Sequence, residues 1–200
     1  HQEPGAAIGH LGETVLDLGS GAGIDVFLAA VEVGPEGRAI GVDMTASMIR
    51  RARQNAATHG TANVEFRLGE IENLPVADAS VDVILSNCVI SLSPDKPRVF
   101  AEAFRALKPG GRLVVSDLVL TRALPDEVRQ SMEAYVGCVG GASQRSEYLR
   151  LIQEAGFDDV TVMEERGYGQ DGPLPKAVIE GKAWDAVVSM KVRAIKPASA

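Results

Sequence analysis

Between residues 14 and about 120, short apolar runs rich in β-branched residues alternate with longer stretches whose apolar positions recur at helical spacing. That alternation predicts a parallel sheet with helices packed on its faces. The expected strands are residues 14–18, 38–43, 63–68, 81–86 and 111–120. Residues 24–33 are apolar almost all round and stop at the turn dipeptide Gly34-Pro35, and Thr45 can cap a helix running to about His59 before Gly60 ends it. Residues 95–107 form a third helical pattern, halted by Lys108-Pro109-Gly110-Gly111. Past residue 120 come two more, about 125–138 and 145–155, separated by Gly140-Gly141. Strands at 159–165 and 184–195 then flank a Gly/Pro-rich loop at 167–175, and residues 196–200 are expected to fray.

Two hundred residues suit one domain with elaborations, and such a chain buries roughly 70% of its unfolded surface, enough for a core without staples. Two cysteines exclude a disulfide scaffold. A net charge of −7, from 20 Lys and Arg against 27 Asp and Glu, argues against nucleic acid or an anionic membrane as partner, because phosphate affinity needs clustered cations. No apolar run approaches the roughly 20 residues of a bilayer span, and no basic segment leads into an apolar one at the start, so the expected compartment is the cytoplasm. The opening residue, His1, leaves room for a segment upstream.

Val15-Leu16-Asp17-Leu18-Gly19-Ser20-Gly21-Ala22-Gly23-Ile24-Asp25 runs from an apolar strand through a glycine turn into a helix. This is where a doubly wound sheet binds a nucleotide-like ligand. Gly19 allows the tight turn, Gly21 lets ligand atoms approach the backbone, and the N–H groups opening the helix favour a negative ligand group. Asp43, 20 residues beyond Gly23 at the end of the second strand, is placed to accept hydrogen bonds from ribose hydroxyls. The alternative is structural: glycines serving a sharp turn and Asp43 a helix cap. The spacing G-x-G-x-G, with Ile24 where a dinucleotide fingerprint has its third glycine, weakens an oxidoreductase reading. Asp17 weakens it further, since a carboxylate beside the turn repels a pyrophosphate and attracts an ammonium. Asp25 reads as a partner of the helix dipole. A ligand carrying ribose, an amine and a carboxylate fits these groups.

S-adenosylmethionine is such a ligand, and residues 15–23 resemble motif I of the class I methyltransferases. The stretch Gly69-Glu70-Ile71-Glu72-Asn73-Leu74-Pro75 is similar to that family's adenine loop, residues 77–84 to the strand after it, and Leu107-Lys108-Pro109-Gly110-Gly111-Arg112-Leu113 to the turn into its fifth strand. The resemblance implies a Rossmann-like α/β fold, a seven-stranded mainly parallel sheet with helices on both faces and a small helical cap. It also implies one domain over 1–200, with a cofactor core at 13–120, a cap over the acceptor at 121–156 and closing strands at 157–200. The residues implied for the cofactor are Asp17, Gly19, Gly21, Gly23, Asp43, Met44, Glu70, Ile71, Glu72 and Asn87.

The fold does not set the acceptor. Topology puts Cys88 at the end of the fourth strand, near the expected sulfonium pocket, and Cys138 in the segment after the fifth; a buried, inert role is the alternative for each. Gly41-Val42-Asp43-Met44-Thr45, the stretch 68–96 with Ser86-Asn87-Cys88-Val89-Ile90, and Cys138-Val139-Gly140-Gly141-Ala142 resemble the arsenite methyltransferases. In that family cysteine thiolates hold trivalent arsenic, a soft acceptor for soft ligands. The resemblance implies arsenic ligands Cys88 and Cys138 with no metal ion, the product S-adenosylhomocysteine, and a thiol reductant such as glutathione or thioredoxin. The arsenic lone pair would attack the sulfonium methyl in line, so proximity and orientation carry the catalysis and no strong base is needed. Two thiols match the two exchangeable ligands of methylarsenite, whereas inorganic arsenite would take a third, from glutathione or from chain upstream of His1. The alternatives are a carbon or oxygen methyltransferase of the quinone-biosynthesis type and a non-catalytic module that binds S-adenosylmethionine or senses arsenic.

Overall fold

The computed structural model describes residues 9–124, 139–167 and 186–199. Its first strand, β1 (Thr14–Leu18), shows how the apolar runs are used. Val15 joins one buried cluster while Leu16 and Leu18 join another, so the period-2 alternation of a strand feeds a core on each face of the sheet. Around it lie β2 (Arg38–Asp43), β3 (Val64–Leu68), β4 (Val81–Asn87), β5 (Leu107–Leu120), β6 (Asp158–Gly167) and β7 (Val187–Ile195). The seven strands form one sheet in the order β3-β2-β1-β4-β5-β7-β6. Pairing is parallel from β3 through β5, and β7 inserts antiparallel between β5 and β6.

Helices α1 (Ile24–Val33) and α2 (Ala46–His59) pack on one face. On α1 the buried residues are Val26, Ala29, Ala30 and Val33, a helical stripe that meets Val15, Ala39 and Val83 of the sheet. The other face carries α3 (Lys96–Ala106) and α4 (Arg145–Glu154). Their contact centres on the Phe100 and Tyr148 rings, 5.3 Å apart and edge-on. Asp95 caps α3 by accepting from the Arg98 N–H at 3.1 Å, and Gly60 ends α2 in the left-handed conformation that glycine adopts without strain.

The expected elements form, with shifts that have identifiable causes. Thr45 stands at the N-cap of α2 but its hydroxyl makes no capping bond; Asp43 binds the Thr45 N–H instead. Asn63, expected to open β3, turns its amide to the Ala30 and Gly34 carbonyls, both at 2.9 Å, and closes the end of α1. The expected stop at residues 108–111 is absorbed into β5. Leu107 pairs with Val81, the register then shifts, and Arg112 pairs with Val83. The expectation that the chain frays from residue 196 is wrong at its first residue. Lys196 is 7% exposed and donates to the Phe104 and Leu107 carbonyls, each at 2.8 Å, while its backbone pairs with Gly110 and Gly111. The helical pattern at 125–138, loop residues 168–175 and the start of the expected last strand lie outside the described residues.

Candidate active site

The strand order reverses between β1 and β4, so their carboxyl ends part and leave a crevice, the place where open α/β sheets bind ligands. The glycine turn lies there. Gly19, Gly21 and Gly23 all have positive φ, and the turn is laced to β2 by the Gly19 and Ser20 N–H groups, which donate to the Val42 carbonyl at 2.8 and 3.0 Å. A β-carbon on Gly19 would stand 2.5 Å from Val89, and one on Gly23 would stand 2.6 Å from Phe66. A β-carbon on Gly21 would meet nothing within 4 Å. Two glycines are therefore needed for protein packing, while the space beside the third is open to a ligand.

Asp17 is the penultimate residue of β1, next to this turn. It is 3% exposed, and among the described residues no hydrogen-bond donor reaches its carboxylate. Burial, reinforced by the nearby charges of Asp25 and Asp43, pushes its carboxyl well above the usual carboxylate range. A buried carboxylate flanked by two more calls for a cation. Asp43 closes β2 and binds two backbone N–H groups, Gly21 at 2.9 Å and Thr45 at 2.8 Å; a carboxylate has about four acceptor sites, so capacity for further hydroxyls remains. Met44 beside it projects into solvent.

The other expected cofactor residues divide by environment. Glu70 is exposed and Ile71 buried, and the loop's Gly69 N–H is tied to the Asp43 carbonyl at 3.1 Å. Glu72 is engaged elsewhere, because its carboxylate accepts a hydrogen bond from the Ser93 hydroxyl. Asn87 is exposed at the last position of β4, paired with Ser116.

Cys88 follows, exposed and with φ 55, a left-handed conformation that a cysteine holds only when its surroundings fix it. Its N–H donates to the Ser116 carbonyl at 2.8 Å, and the next residue, Val89, is the one that packs on Gly19. Cys88 is thus one residue from the glycine turn. Cys138 lies outside the described residues, and with it the separation of the two sulfurs.

Sequence reading missed the groups behind Cys88. Asp117 on β5 is 1% exposed and accepts from the Ser91 N–H at 2.8 Å, the Leu118 N–H at 3.0 Å and the Tyr148 hydroxyl at 3.2 Å. Burial raises its carboxyl and these donors oppose the rise, while burial and Asp117 together hold the Tyr148 phenol well above its ordinary value. Lys96, which donates to the Ser93 carbonyl at 3.0 Å, is lowered by burial against the opposing pull of Asp117 and Glu147. The one available signal was Asp117 itself, the lone acid of β5, set in the apolar run from Leu113 to Leu120. Among the described residues no group of three His, Cys, Asp or Glu is arranged to hold a metal ion, and no helix is long and apolar enough to cross a membrane.

Sheet order, glycine turn and acids at the strand ends define the Rossmann-like fold of the class I methyltransferases. The profile of the methyltransferase domain family matches residues 10–156, and the chain belongs to that family. It is 49% identical over 194 residues to an arsenite methyltransferase of Halobacterium salinarum, covering 94% of this chain and 47% of the relative. It is 42% identical to the arsenite methyltransferase of Aquipseudomonas alcaligenes, covering 92% and 56%. Among solved structures it superposes with a TM-score of 0.78 on an arsenic(III) S-adenosylmethionine methyltransferase from Chlamydomonas reinhardtii, 36% identical over 96% of this chain and 65% of that one. The chain spans about half the length of the curated relatives it matches.

Proposed function

We propose that this protein transfers a methyl group from S-adenosylmethionine to trivalent arsenic held on cysteine thiolates, with Cys88 and Cys138 as the arsenic ligands. The observation that carries the reading is the place of Cys88, exposed at the carboxyl end of β4 and one residue from the contact between Val89 and Gly19. The names of the relatives, arsenite methyltransferases, agree with it.

The residues present fit the cofactor. The open space at Gly21, the buried Asp17 with no hydrogen-bond donor among the described residues and the spare acceptor capacity of Asp43 match a ligand that bears an ammonium and ribose hydroxyls. When bound, S-adenosylmethionine supplies an electrophilic methyl on its sulfonium. Asp17 would hold the amine, Asp43 the ribose, and Glu70 and Ile71 the adenine, with Gly19, Gly23, Met44, Glu72 and Asn87 shaping the cavity. Each arsenic–sulfur bond forms as a thiol condenses with an As–OH group: sulfur replaces oxygen, and the thiol proton leaves with the hydroxide as water. The two cysteines then orient the acceptor. Residues 13–120 would serve as the cofactor core, 121–156 as the cover of the acceptor and 157–200 as the strands that close one domain. We place the reaction in the cytoplasm, where thiols stay reduced, with glutathione or thioredoxin as reductant.

The test is methylation of methylarsenite by the wild-type chain and by Cys88→Ser and Cys138→Ser, with S-adenosylhomocysteine binding measured beside it. Both variants are expected to lose more than roughly a hundredfold in rate while binding the cofactor product normally. A cysteine-independent rate would favour a carbon or oxygen acceptor and overturn the proposal.

A further inference from the structure

Glu72 and Ser93 join two loops that the proposed function assigns to different ligands. The 70–76 loop, expected at the adenine, is braced from α3: Leu74 N–H donates to Glu102 at 2.8 Å, and Arg105 donates to the Leu74 and Val76 carbonyls at 3.1 and 2.9 Å. Glu72 reaches from this loop to the segment that begins at Cys88. Its carboxylate accepts from the Ser93 hydroxyl, and its carbonyl accepts from Arg98 Nε at 3.1 Å. Ser93 is 5% exposed, so water competes little for its hydroxyl, which also accepts from the Asp95 N–H at 3.1 Å. The segment 88–95 is therefore a short strap with two kinds of anchor. Cys88 and Ser91 N–H groups fix it to Ser116 and Asp117 of β5, and Ser93 fixes it to the 70–76 loop.

Cys88 sits in this strap with a left-handed backbone. Such a conformation is held by its neighbours rather than preferred by the residue, so a change in one anchor alters how firmly it is held. Side chains that bridge two binding loops give each ligand a means of biasing the conformation the other requires.

We propose that the Glu72–Ser93 hydrogen bond couples the two ligand sites, so that cofactor on the 70–76 loop steadies the strap and presents Cys88 to the acceptor. Glu72 is then a positioning residue that acts on Cys88 through Ser93. The inference rests on the proposed function for the identity of the two ligands, but the coupling has a readout that needs no arsenic.

The experiment uses the full chain and measures the rate of iodoacetamide alkylation at Cys88, resolved from Cys138 by peptide mass spectrometry, with and without saturating S-adenosylhomocysteine. In the wild type the ligand is expected to change the rate by roughly fivefold or more, the lower range of measured coupling between sites. Ser93→Ala is expected to bind S-adenosylhomocysteine but to show less than about a twofold change, and Ser93→Thr, which keeps the hydroxyl, to restore the wild-type response. An undiminished ligand effect in Ser93→Ala would show direct shielding of the thiol and overturn the coupling, as would no ligand effect in the wild type. Should Ser93→Ala fail to fold, Ser93→Cys, which keeps the volume but is a far weaker donor, carries the same expectation. A parallel titration with phenylarsine oxide separates the two claims: if alkylation is coupled but the arsenical does not bind, the arsenic assignment fails and the coupling stands.

Discussion

At the scale of single residues, the groups that matter most are buried polar ones whose partners come from distant parts of the chain. Asp117 is the example. Its carboxylate joins β5 to the strap through Ser91 and to α4 through Tyr148. Removing it by Asp117→Ala leaves two backbone N–H groups and a phenol without an acceptor, and each buried unsatisfied donor costs roughly 1–3 kcal/mol. The expected loss is on the order of 3 kcal/mol or more, read as a lower denaturant midpoint at an unchanged slope. Tyr148→Phe deletes a single 3.2 Å hydrogen bond, and about 1–2 kcal/mol is expected. If Asp117→Ala matched Tyr148→Phe, the backbone N–H bonds to Asp117 would contribute little to stability. Asp17, Asp43 and Cys88 were legible because each stands at or within one residue of the carboxyl end of a strand whose place the apolar pattern fixes. The Tyr148–Asp117 pair was not, since nothing in the local sequence around either residue points to the other.

At the scale of elements, the pattern of apolar runs located every strand of the sheet and the helices α1 to α4, because each has a buried face that imposes a period on its sequence. What the pattern missed was how β7 enters the sheet. An antiparallel strand between β5 and β6 has the same apolar alternation as one at the edge, so its neighbours are a tertiary fact. Lys196 belongs to the same class of miss. A lysine beside Pro197 near the end of the chain reads as a frayed tail, yet its ammonium lies 4.6 Å from the Phe104 ring centroid and binds the Phe104 and Leu107 carbonyls, which the end of α3 leaves open. Lys196→Met keeps the apolar stem and removes the donor, so about 2 kcal/mol of destabilisation is expected. Deleting residues 197–200 is expected to change stability by less than about 0.5 kcal/mol. Thermal unfolding of the two variants checks this, and equal effects would refute a specific role for the ammonium.

At the scale of the whole molecule, folding gathers three acids, Asp17, Asp25 and Asp43, near one another at the crevice, and the buried one answers the crowding by holding its proton more tightly. The consequence is a pH dependence whose sign follows from Asp17. Its folded-state pKa lies well above the unfolded value of roughly 3.9, so the native chain holds this proton more tightly than the unfolded chain does. The stability it contributes is complete below the unfolded value and is lost as the pH rises through the folded one. The wild type is therefore expected to lose stability relative to Asp17→Asn, a mimic of the protonated acid, as the pH rises from about 4 through that raised value. A ligand whose ammonium pairs with Asp17 draws off the same proton. Its binding is expected to release a proton and to tighten with pH in the wild type, and to do neither in Asp17→Asn. Calorimetry with S-adenosylhomocysteine in two buffers of different ionisation enthalpy measures the release directly. Equal release by both chains would assign the proton to another group and remove Asp17 from the amine site. Release by the wild type alone would show that the cation takes the place of the proton held on Asp17 at the crevice.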